Sequence, residues 1–191
     1  MSWYPADRAV PEERRTARLA LRPLLATDVA GDYDAVMSSA PMLRVWSQSE
    51  WPADDFTLAE NLEDLRRHER EHLERAAFTY TVREPSGDRC VGCVYLQPLR
   101  DEEAAWRGGS ASSTRVTFWV RTSEIAGDLD LHLFQVLREW LREEAWAFER
   151  VVFSASPGDG RQLRLYREAG LEPLGVVTLA DGRQISGHLS S

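Results

Sequence analysis

Apolar positions along the chain alternate in short runs and recur at helical spacing in longer ones, and each change of period marks an element. Thr16 to Pro23 (TARLALRP) alternates as a strand, and Pro23 ends its ladder. Thr27 and Asp28 offer an N-cap to a helix whose face is Val29, Tyr33, Val36, Met37 and Ala40, closed by Pro41. Met42 to Asp55 shows neither period and reads as irregular, with Trp46 and Trp51 inside it. A second helix spans Thr57 to Arg75 with Leu58, Leu62, Leu65 and Leu73 as its stripe. Ala76 to Glu84 and Arg89 to Pro98 form a hairpin around Pro85 to Asp88, where Gly87 supplies the positive φ.

A polar loop from Arg100 to Ser113 ends in a glycine-serine run expected to be mobile. Thr114 to Arg121 is the next strand, and Asp128 to Phe148 a long helix with Leu129, Leu133, Val136, Leu137, Trp140 and Leu141 on one broad face. Arg150 to Ser154 is apolar enough for a fully buried strand. Pro157 to Gly160 breaks the chain before a short helix, Arg161 to Ala169, with Gly170 as its C′ residue. Leu171 to Leu179 and Gln184 to Leu189 close as a hairpin around Asp181-Gly182. The order β α α β β β α β α β β, without an internal repeat, predicts one mixed α/β domain over residues 16–191. Residues 1–15 read as an arm anchored by Trp3 and Tyr4.

Charge narrows the partners. A net charge of −8 argues against nucleic acid, which needs clustered Lys and Arg, and is compatible with a cationic amine. No apolar run reaches the length of a membrane span, and MSWYPADRAVPEERR has no signal-peptide h-region, so a cytoplasmic protein is expected. Cys90 and Cys93 fall in an alternating segment where positions three apart point to opposite faces, which predicts packed thiols, not a redox pair or a metal site. No metal is expected.

The element order and two local stretches resemble the GNAT superfamily of N-acetyltransferases. TARLALRPLLATDV, residues 16–29, looks like the first strand and helix of its ribosomal-protein N-terminal acetyltransferase branch, and GRQLRLYREAGLE, residues 160–172, is similar to the superfamily's fourth helix and exit glycine. The resemblance implies an acetyltransferase fold, with acetyl-CoA as cosubstrate and a small-molecule amine or protein N-terminus as acceptor. It also allows a homodimer. It implies that the backbone of Phe118, Trp119, Val120 and Arg121 carries the pantetheine arm and that Tyr166 is the general acid toward the departing thiolate. A phenol with a pKa of about 10 matches that basicity.

The loop departs from the family's pattern of a basic residue followed by spaced glycines. Ile125, Asp128 and Asp130 stand on those three positions, and Gly127, one place early, is the loop residue expected to approach the coenzyme if the loop shifts. Two carboxylates in the first helical turn face a pyrophosphate of like sign. This puts acetyl-CoA in question and keeps open a second reading, a catalytically inactive chain that holds a small ligand or protein partner in its groove.

His68 to His72 (HEREH) matches the two-histidine zinc pattern, yet its neighbours RRHEREHLER are those of a solvated helix. On the leucine stripe Glu69 is central and His72 lies at the edge. In the fold implied by the resemblance this helix borders the acceptor groove, so Glu69 and His72 are the candidate groove residues.

Overall fold

The computed structural model describes residues 3–87, 89–106 and 112–190. Among them, eight strands form one sheet: β1 (Arg14–Arg15), β2 (Ala20–Pro23), β3 (Phe78–Arg83), β4 (Cys90–Pro98), β5 (Ser113–Val120), β6 (Arg150–Ala155), β7 (Glu172–Thr178) and β8 (Gln184–Ser190), in the order β1-β2-β3-β4-β5-β6-β8-β7. Neighbours are antiparallel except β5 and β6. That pair is joined by a helical crossover, the connection a parallel pair requires. The mixed α/β fold and its element order agree with the sequence pattern, with one added helix and one added two-residue strand, β1, which the arm lends to the sheet edge.

Helices α1 (Val29–Met37), α2 (Ala40–Ser47) and α3 (Leu58–Leu73) cover one face, and α4 (Leu129–Trp140) and α5 (Gly160–Glu168) the other. The strand period of two sorts the core between them. Phe118, Val116 and Phe153 pack with Leu133, Phe134 and Tyr166, whereas Trp119, next to Phe118, packs with Val36, Leu43 and Leu65. No helix of the described residues is long and apolar enough to cross a membrane.

Four local expectations change. The irregular stretch after Pro41 begins with α2: proline is tolerated in a helix's first turn because its missing N–H has no partner there, and Pro41 occupies that turn. Helix α4 stops at Trp140, not Phe148. Trp146 and Phe148 continue the apolar spacing because they stack on one another and on the arm, where the buried Tyr4 ring meets Phe78 edge-on at 5.0 Å. Helix α3 starts at a capping box, Thr57 accepting from the Glu60 N–H and Glu60 from the Thr57 N–H. Its stripe, however, is not the leucines: Leu58 is 47% and Leu73 77% exposed, while Asn61 and Leu65 are buried.

The fourth change concerns the cysteines. The register between β3 and β4 slips by one residue, Arg83 opposing Cys90 and Val82 opposing Gly92. This bulge turns Cys90 and Cys93 to the same face, where both join the α1–α3 core. Burial pushes both thiols above their ordinary pKa, away from reactive thiolates. Gly92 is required there, since a Cβ would lie 2.2 Å from the Trp119 carbonyl oxygen. The loop after β4 contains a 3₁₀ turn, Asp101–Trp106, while residues 107–111 of the glycine-serine run lie outside the described residues.

Candidate active site

Strands β5 and β6 pair from Ser113 opposite Arg150 to Val116 opposite Phe153 and then part, although β5 stays paired with β4 as far as Val120. The last residues of β5 therefore have one open edge. Antiparallel pairs alternate in their bonding, so Phe118 and Val120 share that edge and Trp119 bonds back toward β4. The Phe118 carbonyl accepts from the Trp46 indole N–H at 3.0 Å and from the Gln162 amide at 2.7 Å. Trp46 thereby stands between two cavities, one of about 340 Å³ toward α3 and one of about 160 Å³ toward α5.

A splayed parallel pair beside an antiparallel β-meander, with a helix crossing over between the splayed strands, is a specific arrangement. No protein-family model matches the sequence, and no curated protein matches it. Among solved structures, the chain is similar to the ribosomal L7/L12 α-N-protein acetyltransferase RimL (TM-score 0.72, 13% identity, covering 94% of this chain and 97% of that one). It is also similar to the ribosomal-protein-S5-alanine acetyltransferase of Vibrio fischeri (0.72, 12%, covering 94% and 96%). A third likeness is to the microcin C7 self-immunity acetyltransferase MccE, solved with acetyl-CoA and AMP (0.70, 9%, covering 91% and 92%). The chain has the GNAT acetyltransferase fold.

Within that fold, the four residues of the expected pantetheine rail differ in what they offer. Phe118 and Val120 line the smaller cavity and present their peptide groups to the open edge. Trp119 lines it too, with its indole N–H donating to the Tyr95 hydroxyl at 3.3 Å. Arg121 does not line it. Its N–H donates to the Val91 carbonyl at 2.8 Å, and its buried guanidinium staples Cys90 to Ser38 and Asp34 of α1.

At the mouth of the smaller cavity the turn Thr122–Gly127 leads into Asp128 at φ 53°, the left-handed region in which aspartate is tolerated better than most residues. Gly127 lies in this turn, away from both cavities, its carbonyl accepting from Arg18. Arg161, from α5, bridges Asp128 at 2.9 Å and Asp130 at 2.8 Å. Those two carboxylates hold its guanidinium above the ordinary arginine range. The positive end of helix α4 is thus faced by the chain's own acid and an arginine drawn to it. The basic residue missing from the loop at Ile125 has a counterpart in Arg161, reached from a different element. Asp159 caps α5 by accepting from the Gln162 N–H at 3.0 Å.

The larger cavity is bounded by Asp64, Arg67 and His68 of α3, Trp46 and Trp51, and Tyr95 of β4. Glu69 and His72, expected in the groove, do not line it. Glu69 accepts from the Ala26 N–H at 3.0 Å, and the His72 ring meets Phe78 and Tyr80 edge-on at 5.1 and 5.6 Å. The inward line of α3 is Asn61, Leu65, His68 and His72, at spacings of four, three and four. A reading by leucines displaces this line toward Glu69.

His68 is the residue the sequence reading missed. Its Nδ1 lies 3.2 Å from Glu71 Oε2 and 3.2 Å from Thr79 Oγ1. A carboxylate can only accept, so Nδ1 carries the proton and Nε2 keeps its lone pair. Burial, reinforced by Arg67, lowers the imidazole pKa below its ordinary value. The signal was the i, i+4 histidine pair, noticed for zinc; among the described residues no cluster of three or more metal-ligating side chains forms.

Tyr166 is fully buried against Phe134, Phe153 and His188, and its hydroxyl lies 3.4 Å from the Ser154 carbonyl oxygen. It lines neither cavity, but Ser154 lines the larger one. Burial raises the phenol far above its ordinary pKa, so it keeps its proton.

Proposed function

We propose that this chain is an acyl-CoA-dependent N-acyltransferase that transfers an acetyl group to the amine of a small molecule or a protein N-terminus. The observation that carries the reading is the parting of β5 from β6 beyond Val116, with a cavity on either side of Trp46. RimL and the Vibrio enzyme are ribosomal-protein acetyltransferases, and MccE was solved with acetyl-CoA and AMP; these likenesses support the reading.

The chain's residues fit the two ends of the coenzyme unequally. The open peptide groups of Phe118 and Val120, beside the apolar side chains of Met42 and Ile125, suit a pantetheine arm, provided Trp46 and Gln162 release the Phe118 carbonyl. Asp128 and Asp130 do not suit a pyrophosphate, so affinity rests on the pantetheine end.

When bound, acetyl-CoA supplies an activated acyl group. His68 is assigned as the base that takes the proton of the attacking amine, because it lines the larger cavity and Glu71, accepting from Nδ1, leaves the lone pair on Nε2. Tyr166 is the proton donor the resemblance implies on the thiol side, but burial lifts its phenol out of the expected match in basicity and it lines neither cavity, so it donates only if the wall at Ser154 opens to it.

The test is acetyl-CoA-dependent thiol release across an amine panel, with His68→Gln beside the wild type. kcat/KM is expected to rise with pH through a pKa below about 6.5 and then level off. His68→Gln should lower kcat by about 10²-fold and abolish that limb. An unchanged pH profile in the variant removes His68 from the reaction.

A further inference from the structure

The larger cavity has a composition that the chain as a whole does not. In a protein of net charge −8, its wall carries Arg67, Arg100, Arg115 and Arg183 against one carboxylate, Asp64. Other carboxylates that partner these arginines stand behind the wall: Glu103 holds Arg115 at 2.9 Å, Glu71 lies 3.7 Å from Arg67 and Asp181 2.7 Å from Arg183. None of the three lines the cavity.

Two polar groups there are buried and unanswered. Arg115 is 4% exposed, with Nη1 on Glu103 and Nη2 on Gln97, and its Nε–H has no partner among the described residues. Ser154 is fully buried, and its hydroxyl has no partner among them either. Arg115 opposes Val152 in the β5–β6 ladder, and Ser154 is two residues further on, so both side chains leave the sheet on the cavity face. Each such group destabilises the chain while it stays unsatisfied, and an anionic oxygen would satisfy it. Beside them the Trp46 and Tyr95 rings, 5.7 Å apart, make a flat apolar wall.

We propose that the acceptor is an amine carrying an anionic group, carboxylate or phosphate, on a flat apolar body, and that Arg115 Nε–H and Ser154 Oγ–H bind that anion. The inference rests on the acyltransferase reading and narrows its substrate class. The same wall disfavours polyamines and basic peptides, whose charges would meet the arginines. His68 lines the same cavity, and burial favours its neutral form, which does not repel an amine.

Three probes sharing one ring separate the possibilities: tyramine with no anion, tyrosine with a carboxylate, and O-phosphotyramine with a phosphate. Each is titrated calorimetrically against the whole chain without acetyl-CoA. Tyrosine or O-phosphotyramine is expected to bind about tenfold or more tighter than tyramine, and which of them does so identifies the anion. Ser154→Ala, which removes one oxygen and no bond, should reduce that preference severalfold, as should Arg115→Lys. Tyramine binding as tightly as both anionic probes, or a preference untouched in Ser154→Ala, overturns the proposal. Acetyl-CoA is titrated separately. Its failure to bind beside an intact anion preference removes the enzyme reading alone, and the converse removes only the anion site.

Discussion

Tyr166 shows how burial and chemistry compete for one side chain. Its ring fills the core between α4, β6 and β8, and its hydroxyl reaches only the Ser154 carbonyl, at a distance too long for a strong bond. Tyr166→Phe should therefore cost no more than about 1 kcal/mol of stability. As a proton donor it matters after attack, not in binding, so the variant should lose about tenfold or more in kcat with little change in the KM for acetyl-CoA. Steady-state kinetics decide: unchanged kcat would make Tyr166 a core aromatic only. Asp128 and Asp130 illustrate the opposite case, since both were visible in the sequence as misfits to a phosphate cradle. What the sequence did not carry is their partner, because Arg161 lies 33 and 31 residues away and meets them only through packing of α5 against α4.

At the scale of elements, strand positions were legible because alternation is a property of neighbouring residues. Helix α2 was not, because Pro41 reads equally as a stop or as a first turn, and Met42, Leu43 and Trp46 fill less than two full turns. The inward face of α3 was misread for a chemical reason: its line contains Asn61 and His68, held by hydrogen bonds, and His72, packed edge-on against aromatic rings, contacts that pattern alone does not reveal. Asn61 donates to Asp32 of α1 at 2.9 Å, and burial lifts this carboxyl to about 6, against an ordinary 3.8. The folded chain thus holds a proton that the unfolded chain has released. The associated stability is full below about pH 3.8 and is lost as pH rises through about 6. Asp32→Asn keeps an acceptor for Asn61 without the charge. It should raise stability by on the order of 1–3 kcal/mol above about pH 7 and by little near pH 4. Denaturant unfolding at the two pH values checks this, and an equal gain at both would contradict it.

For the whole molecule, the mixed sheet and the acetyltransferase fold could be argued from element order and from the run Gly160 to Glu172. The parting of β5 from β6 could not, because the distance between strands leaves no mark on the alternation of either. That parting organises the site: Trp46 closes it from α2, Gln162 from α5, and a cavity opens on each side. The sequence pointed to Glu69 and His72 on the acceptor side, and the fold instead turns His68 and Arg67 toward the cavity. On the coenzyme side, the internal ion pairs of Arg161 replace an open anion site, so the central question is whether the strand edge alone can hold the coenzyme. Calorimetric titration of the intact chain with acetyl-CoA answers it most directly. The account predicts saturable binding at one site with a Kd on the order of 1–100 μM; no heat of binding at about 1 mM acetyl-CoA, where even a weak site of roughly −4 kcal/mol would be half filled, would contradict it.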